Sequence, residues 1–144
     1  MNIKNILVTG GDGFLGKNVV SVLKETYPNA NIIIPVISEI DLRERNQTIE
    51  YFQKNKPDVV IALAARLGGI GDNRMYPASY FYDNITIGIN TIDASRLCGV
   101  QKLVIIGTVC SYPKIVPAPF KEEDLWNGYP EPTNGAYGIS KKYL

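Results

Sequence analysis

The sequence predicts an α/β fold with a doubly wound parallel sheet. Apolar segments typical of buried strands alternate with segments of helical periodicity along the chain. The first of these strands runs into a glycine-rich turn, "TGGDGFLG", and then into a helix. Because each helix returns the chain to the same end of the sheet, strands connected in this way run parallel. The length of 144 residues fits one domain of this kind.

The first half of the chain supplies two strands and two helices. "NILVTGG" is an apolar run ended by glycines, the pattern of a strand buried on both faces. From Phe14 to about Thr26 apolar residues recur every four positions, which predicts a helix that ends near Pro28. "NIIIPVI" predicts a second strand, with Pro35 near a sheet edge or the strand's end. Residues 44–55 are predicted to be helical.

The second half continues the alternation. "PDVVIALAA" predicts a third strand, and the stretch from Ala78 to Cys98 predicts a long helix that Gly99 ends. "KLVIIG" predicts the next strand, followed by a proline-rich loop from Tyr112 to Thr133 and a helix from about Ala136. Ligands of such sheets bind beyond the carboxyl ends of the strands. We therefore expect the loops "TGGDGFLG", "AARLGGIG" and "GTVCSYPK" to meet at one ligand site.

Composition excludes several classes of function. The net charge of +1 gives no reason to expect nucleic acid or an anionic membrane as partner. The chain has no histidine, which removes Ser-His and Cys-His nucleophile schemes, and two cysteines make a metal site improbable. The N-terminus does not resemble a signal peptide and no apolar run approaches the ~20 residues of a membrane span. We expect a cytoplasmic protein with reduced cysteines.

The glycine turn predicts Rossmann-type dinucleotide binding. It contains Gly11-x-Gly13-x-x-Gly16 or, in the other register, Gly10-x-x-Gly13-x-x-Gly16. Both registers let a pyrophosphate approach the backbone at the start of a helix. A tight turn that binds nothing is the alternative, but the position between the first strand and the first helix favours the dinucleotide. A P-loop is rejected because no Gly-Lys-Ser/Thr follows.

The residues leave the choice between NAD and NADP open. The acidic residue that binds a ribose 2′-hydroxyl normally lies ~20 positions beyond the turn. Neither Glu39 nor Asp41 falls clearly at the tip of the second strand, and no arginine stands there to bind a 2′-phosphate.

A tyrosine and a lysine near the C-terminus predict proton transfer. Tyr137 and Lys141 lie one helical turn apart on one face, and a nearby cation favours the phenolate. Such a pair can exchange a proton with a carbinol oxygen while nicotinamide exchanges hydride, and Thr108 after the fourth strand can orient that oxygen. An isolated pair of this kind is more often an ordinary helix surface. The glycine turn and Thr108, in this order, favour the catalytic interpretation.

These segments carry a resemblance. "VTGGDGFLG", "LAARLGGI", "TVCSYPK" and "EPTNGAYGISK" resemble the extended short-chain dehydrogenase/reductases, the NAD-dependent epimerase/dehydratase family. Within it, "AARLGGI", "CSYPK" and the spacing of "EPTNGAYGISK" are most similar to the GDP-L-fucose synthases. The resemblance covers the whole chain. It implies epimerisation of a GDP-linked 4-keto-6-deoxymannose at the two carbons flanking its ketone, and reduction of the ketone by NADPH.

The resemblance assigns catalytic roles by position. Thr108 stands where the family has its catalytic serine, Tyr137 where it has the proton donor, and Lys141 where it has that tyrosine's partner. Cys110 matches a cysteine implicated in epimerisation, since a thiol beside a keto sugar can move a proton next to the ketone. A small packed thiol is the alternative for Cys110, and Cys98 is expected to serve packing.

The resemblance also assigns cofactor and loop positions. Asp41 and Leu42 fall where the family contacts adenine, and Gly68, Gly69 and Ile70 form a loop that reaches toward the sugar or else a plain flexible turn. Asn84 matches an asparagine that braces the sheet or the active-site loop. The expected cofactor-binding residues are Gly10, Gly13, Phe14, Leu15, Gly16, Asp41, Leu42, Ala64, Ala65, Thr108 and Lys141.

Departures from the family qualify these expectations. Asp12 stands where relatives often have arginine, and its carboxylate would repel a 2′-phosphate, so NAD stays open although the family favours NADP. Residues 1–144 are expected to form an incomplete dinucleotide-binding domain without the substrate domain, and to be inactive alone. The family suggests a homodimer, for which the long helix is a candidate surface.

Other functions stay open. Val109 and Cys110 replace the Asp-Glu pair of the dehydratases, which argues against that activity. Another nucleotide-sugar 4-epimerase or 4-reductase of the same superfamily is an alternative, because both use the hydroxyl, the tyrosine and the lysine. A non-catalytic dinucleotide-binding module is a third possibility, although such a module does not need the Tyr-Lys pair.

Overall fold

The chain folds into two compact units. A computed structural model describes residues 3–144. Unit 1 comprises the residues up to Ala65 together with Ile87–Ile106, and unit 2 comprises Arg66–Thr86 and Gly107–Leu144.

Unit 1 contains a parallel sheet of four strands in the order β2-β1-β3-β4. The strands are β1 (Asn5–Thr9), β2 (Asn31–Ile33), β3 (Val59–Ala62) and β4 (Lys102–Ile105). The chain leaves β1 in one direction to form β2 and then crosses to the other side of β1 for β3. This reversal confirms the predicted doubly wound parallel sheet.

The helices of unit 1 cover the sheet on two sides. They are α1 (Phe14–Thr26), α2 (Arg45–Asn55) and the second half of a long helix, α4 (Pro77–Leu97), which begins in unit 2. Val20 of α1 packs in a cluster with Ile6 and Val8 of β1. Phe52 of α2 packs in the other cluster, with Leu7 of β1. Because alternate residues of β1 enter different clusters, both faces of the strand are buried.

The predicted elements agree with the structure, apart from their ends. The second strand stops at Ile33, two residues before Pro35. This strand lies at the edge of the sheet, where a residue without an N–H costs no ladder hydrogen bond. The long helix ends where predicted: Gly99 has φ +67° and donates its N–H to Arg96. Its lack of a Cβ permits this left-handed turn.

Unit 2 contains two further helices, α3 (Ile70–Met75) and α5 (Gly135–Lys142). The helix α3 occupies a stretch that was expected to be loop, and it is too short for its periodicity to be recognised. The segments on either side of the proline-rich loop, and part of the loop itself, form short 3₁₀ turns at Val109–Ser111, Glu122–Trp126 and Pro132–Asn134. Within the described residues, no helix combines the length and the apolar character needed to cross a membrane.

Candidate active site

The glycine turn of unit 1 contains positions that are packed too closely for a side chain. Gly10 has φ +67°, and a Cβ on it would lie 2.9 Å from the Ala64 nitrogen. A Cβ on Gly16 would lie 2.1 Å from the Gly10 oxygen. Gly13, by contrast, is exposed and precedes α1 without any side chain capping the helix. The first N–H groups of α1 are therefore available to an anionic ligand, and the residues present fit a pyrophosphate.

Phe14, Leu15 and Ala64 are predicted cofactor residues in the segments around this turn. Phe14 and Leu15 open α1 with side chains 93% and 49% exposed. Ala64 follows β3, and its N–H donates to the Thr9 hydroxyl at 3.1 Å. This bond holds the segment after β3 against the end of β1. This role of Thr9 was not predicted, because its position before the glycines does not indicate the bond.

Asp41 and Leu42 lie in the loop that follows β2. The Asp41 carboxylate accepts hydrogen bonds from the Arg43 backbone N–H at 2.9 Å and from the Arg43 guanidinium at 2.6 Å. These side-chain bonds hold the pKa of Asp41 below its usual value. Leu42 is buried, and its carbonyl accepts a hydrogen bond from Asn90 at 2.9 Å. Contact of both residues with an adenine ring stays a prediction.

Unit 2 brings the predicted catalytic side chains together. Thr108 precedes the 3₁₀ turn, and its hydroxyl accepts a hydrogen bond from the Cys110 N–H at 3.2 Å. The Thr108 side chain lies close enough to Tyr137 to lower the pKa of its phenol. Gly138 lets α5 approach the turn, because a Cβ there would lie 2.2 Å from the Cys110 carbonyl oxygen. The lack of a side chain at Gly138 thus permits the approach that brings Tyr137 to Thr108.

Burial governs the ionisation of this cluster. Burial raises the pKa of Tyr137, the nearby Thr108 side chain opposes this rise, and electrostatic repulsion from Cys110 adds to it. Burial also lowers the pKa of Lys141. The Lys141 cation was expected to favour the phenolate form of Tyr137. Among the described residues, however, Lys141 is not one of the groups that change the pKa of Tyr137. At neutral pH the phenol therefore carries its proton and is able to donate it.

Cys110 lies in a cavity of about 120 Å³. The Asn134 side-chain amide donates to the Cys110 sulfur at 3.2 Å. The cavity is lined by Leu67, Gly68, Ile70, Asn73, Tyr80, Cys110, Asn134 and Tyr137. The second and third predicted ligand loops thus meet in unit 2. Cys98, in unit 1, packs beside a buried cluster, and burial raises its pKa.

Side chains of α4 hold the loop before α3 and also α3 itself. The Arg66 guanidinium binds Asp83 at 2.9 Å and lies 4.9 Å from the centre of the Tyr80 ring. The Tyr80 hydroxyl donates to Asp72. Asn84 accepts from the Arg66 N–H at 2.9 Å and donates to the Arg66 carbonyl at 3.1 Å. Except for Asn84, these residues were not predicted to have a role, because only the course of α4 brings them together.

The described residues contain no group of histidine, cysteine, aspartate and glutamate side chains placed to hold a metal ion.

Comparisons with known proteins agree with this geometry. GDP-L-fucose synthase from Dictyostelium discoideum is 35% identical over 142 residues, which are 98% of this chain and 44% of the relative. The chain also resembles two solved structures: a GDP-L-fucose synthetase from Naegleria fowleri bound to NADP (TM-score 0.88, 31% identity) and MlghC, a GDP-mannoheptose C4 reductase from Campylobacter jejuni with NADP bound (TM-score 0.91, 30% identity). These matches cover 97% and 98% of this chain, but only 42% and 44% of the relatives.

A family model described as "NAD dependent epimerase/dehydratase family" matches residues 6–144. This match spans the glycine turn of unit 1 and the Thr108–Tyr137 cluster of unit 2. The chain therefore belongs to the NAD dependent epimerase/dehydratase family.

Proposed function

We propose that this chain is the cofactor-binding part of a nucleotide-sugar epimerase/reductase that acts on GDP-4-keto-6-deoxymannose, as a 3,5-epimerase and 4-reductase. The observation that carries this proposal is the cluster in unit 2, where a protonated phenol, a hydroxyl and a thiol lie together. Relatives named GDP-L-fucose synthase, and NADP-bound GDP-sugar reductases of similar structure, support the substrate class.

Unit 1 would hold the dinucleotide. Its uncapped α1 N-terminus fits the pyrophosphate, while Ala64 and Ala65 would line the nucleotide and Asp41 and Leu42 would contact the adenine. When bound, the cofactor supplies hydride for the ketone. The NADP in the related structures supports NADP as the cofactor. Asp12, an exposed carboxylate in the turn, is the reason to test NAD as well.

Unit 2 would manage the protons. The Thr108 hydroxyl would bind the ketone oxygen, and Tyr137 would donate its proton to that oxygen as hydride arrives. Lys141 would reach the ribose hydroxyls of the cofactor. Cys110 would take or return a proton at a carbon beside the ketone, with the Asn134 amide keeping its sulfur in place.

The chain spans 44% of the Dictyostelium relative's length. We propose that the remaining length of such proteins contributes a substrate domain, so that turnover requires a protein longer than these 144 residues. A cytoplasmic homodimer is the assembly we propose for that longer protein.

The test compares Tyr137→Phe with Tyr82→Phe, which alters a 62% exposed tyrosine of the same unit, in a longer protein containing this chain. NADPH oxidation with the GDP-linked keto sugar should fall about 10²- to 10⁴-fold in Tyr137→Phe, because the proton donor is gone. The control should keep its rate, and both variants should bind NADPH normally. Unchanged turnover in Tyr137→Phe would refute the enzyme proposal and favour a non-catalytic binding module.

Epimerisation is tested separately by deuterium exchange from solvent. The carbons flanking the ketone should exchange in the parent protein and in Tyr137→Phe, but not in Cys110→Ser. A protein that reduces the sugar without any exchange would be a 4-reductase instead.

A further inference from the structure

We propose that Asn90 is a positioning residue for the cofactor, because it holds residues 41–43 in place for the adenosine half of the dinucleotide. This inference rests on the proposed function, which assigns these residues to the adenine, and it adds the side chain that sets the affinity for that half. It is carried by the buried Asn90 amide of α4, which donates to two consecutive carbonyl oxygens in unit 1.

The connection from β2 to α2, residues 34–44, lies where the adenosine half is expected. Because β1 and β2 are parallel neighbours, this connection and the glycine turn start at the same end of the sheet. The two segments touch there, since a Cβ on Gly11 would lie 2.8 Å from the Ile34 Cγ2 atom. A pyrophosphate at the first turn directs the adenosine ribose to the end of the second strand. The Asp41 side chain, 28% exposed, is accessible to a ligand at this place.

Side-chain hydrogen bonds rather than strand pairing hold residues 41–43. Pairing of β2 with β1 stops at Ile33, and α2 begins at Arg45. Buried carbonyl groups between these points need other donors, because leaving one unpaired costs about as much as a lost hydrogen bond. The Asn90 Nδ2 atom donates to the carbonyl oxygens of Leu42 and Arg43, both at 2.9 Å.

Thr48 of α2 also lies near these carbonyls, but it cannot replace Asn90. Its hydroxyl is 3.3 Å from the Leu42 oxygen and 2.9 Å from the Glu44 oxygen. A hydroxyl has one proton, which goes to the nearer acceptor, Glu44, whereas an amide nitrogen has two protons, one for each carbonyl. The Asn90 side chain is therefore the donor that fixes this part of the connection.

The effect of Asn90 extends to the Asp41 carboxylate through Arg43. Asn90 holds the Arg43 carbonyl, while the Arg43 N–H donates to Asp41 Oδ1 at 2.9 Å. The Arg43 Nε atom binds the same oxygen at 3.0 Å. Moving the Arg43 backbone thus also turns the carboxylate. Without Asn90, the adenosine half would have to order residues 41–43 as it binds, and this ordering weakens binding.

The experiment uses the longer protein and the two halves of the cofactor, ADP and reduced nicotinamide mononucleotide, in calorimetric titrations. Asn90→Ala should bind ADP about tenfold more weakly than the parent, and should bind the mononucleotide equally well. Asn55→Ala is the matched control. The Asn55 side chain also donates to a backbone carbonyl, that of Tyr51 at 2.8 Å, but within α2. This variant should bind both halves like the parent.

A role in stability alone would give a different result. Asn90→Ala would then bind both halves more weakly by the same factor, which would overturn the inference. Parental ADP affinity in Asn90→Ala would overturn it as well.

Hydrogen exchange of the parent protein provides a test even if Asn90→Ala does not fold. ADP should slow the exchange of the amides of residues 41–43, and the mononucleotide should not. Exchange that ADP leaves unchanged would refute the inference, because the adenosine half would then bind elsewhere.

These binding measurements separate the inference from the proposed function. Selective loss of ADP affinity in Asn90→Ala, in a protein that does not oxidise NADPH with the keto sugar, would support the positioning role and refute the epimerase/reductase. Turnover of the keto sugar by a protein whose ADP affinity does not depend on Asn90 would support the proposed function and overturn the positioning role.

Discussion

Replacing Gly138 with alanine tests whether the approach of α5 to the 3₁₀ turn builds the catalytic cluster. Gly138 lies next to Tyr137 and one helical turn from Lys141. A Cβ at this position would lie 2.2 Å from the Cys110 carbonyl oxygen and 3.0 Å from the Cys110 carbonyl carbon. Because both atoms belong to the backbone, no side-chain rotation relieves the contact.

The size of the effect follows from that distance. A Cβ and a carbonyl oxygen need about 3.2 Å, so the helix and the turn must move apart by about 1 Å. Overpacking of this kind costs about 1–3 kcal/mol, and the better helix propensity of alanine returns about 1 kcal/mol or less. A displacement of about 1 Å between Tyr137 and Thr108 should lower kcat about 100-fold.

Thermal unfolding and NADPH oxidation together measure both effects. We expect Gly138→Ala to lower Tm by roughly 3–8 °C and to lose activity, while NADPH affinity is retained. Gly71→Ala is the matched control, because Gly71 lies on α3 of the same unit and an added Cβ meets nothing within 4 Å. That variant should be as stable as the parent or about 0.5–1 kcal/mol more stable. A Gly138→Ala protein with parental Tm and kcat would refute the close approach of α5.

Two further predictions concern unit 1. Asp12→Arg should raise the ratio of NADPH to NADH affinity by about 10- to 100-fold, because it replaces a charge that repels a 2′-phosphate with one that attracts it; calorimetric titration measures this, and an unchanged ratio would show that the 2′ group binds elsewhere. Asp58 accepts backbone hydrogen bonds from Asn5 at 2.9 Å and Lys4 at 2.8 Å, which lower its pKa from 3.8. Since the folded pKa is depressed, this stabilisation is present at neutral pH and is lost as the pH falls below about 5. Asp58→Asn should therefore have a lower Tm than the parent at pH 7 but a similar Tm near pH 2; a difference that stays constant with pH would contradict the assignment.

The alternation of strand and helix segments predicted the sheet, because the local sequence pattern and the tertiary structure agree in this kind of fold. An apolar run such as "NILVT" is buried whichever helix covers it, and Gly99 ends the long helix through its own backbone freedom. The ends of the strands were predicted less well. The sequence does not show how many residues pair with the neighbouring strand. The predicted second strand therefore extended past Ile33 and included Pro35.

The predicted catalytic residues could be recognised in the sequence for a different reason. Thr108, Tyr137 and Lys141 follow one another in an order and spacing that suit proton transfer, and in unit 2 the Thr108 side chain lies close enough to Tyr137 to lower its pKa. The roles of the predicted cofactor residues are still predictions, because they depend on a bound dinucleotide. Asn73 and Asn134, which line the cavity together with the predicted Cys110 and Tyr137, were not predicted to have a role, since such an asparagine looks like any surface asparagine until its neighbours are known.

The difference between these two groups of residues has a physical cause. Tyr137 and Thr108 are predicted from the chemistry that a ketone substrate requires, and that requirement gives a recognisable order and spacing in the chain. Arg66, Asp72 and Tyr80 are defined by each other: the Tyr80 hydroxyl needs a carboxylate, and the Arg66 guanidinium needs both Asp83 and an aromatic face. Many other combinations of side chains would hold the same loop equally well, so no single sequence pattern identifies such residues.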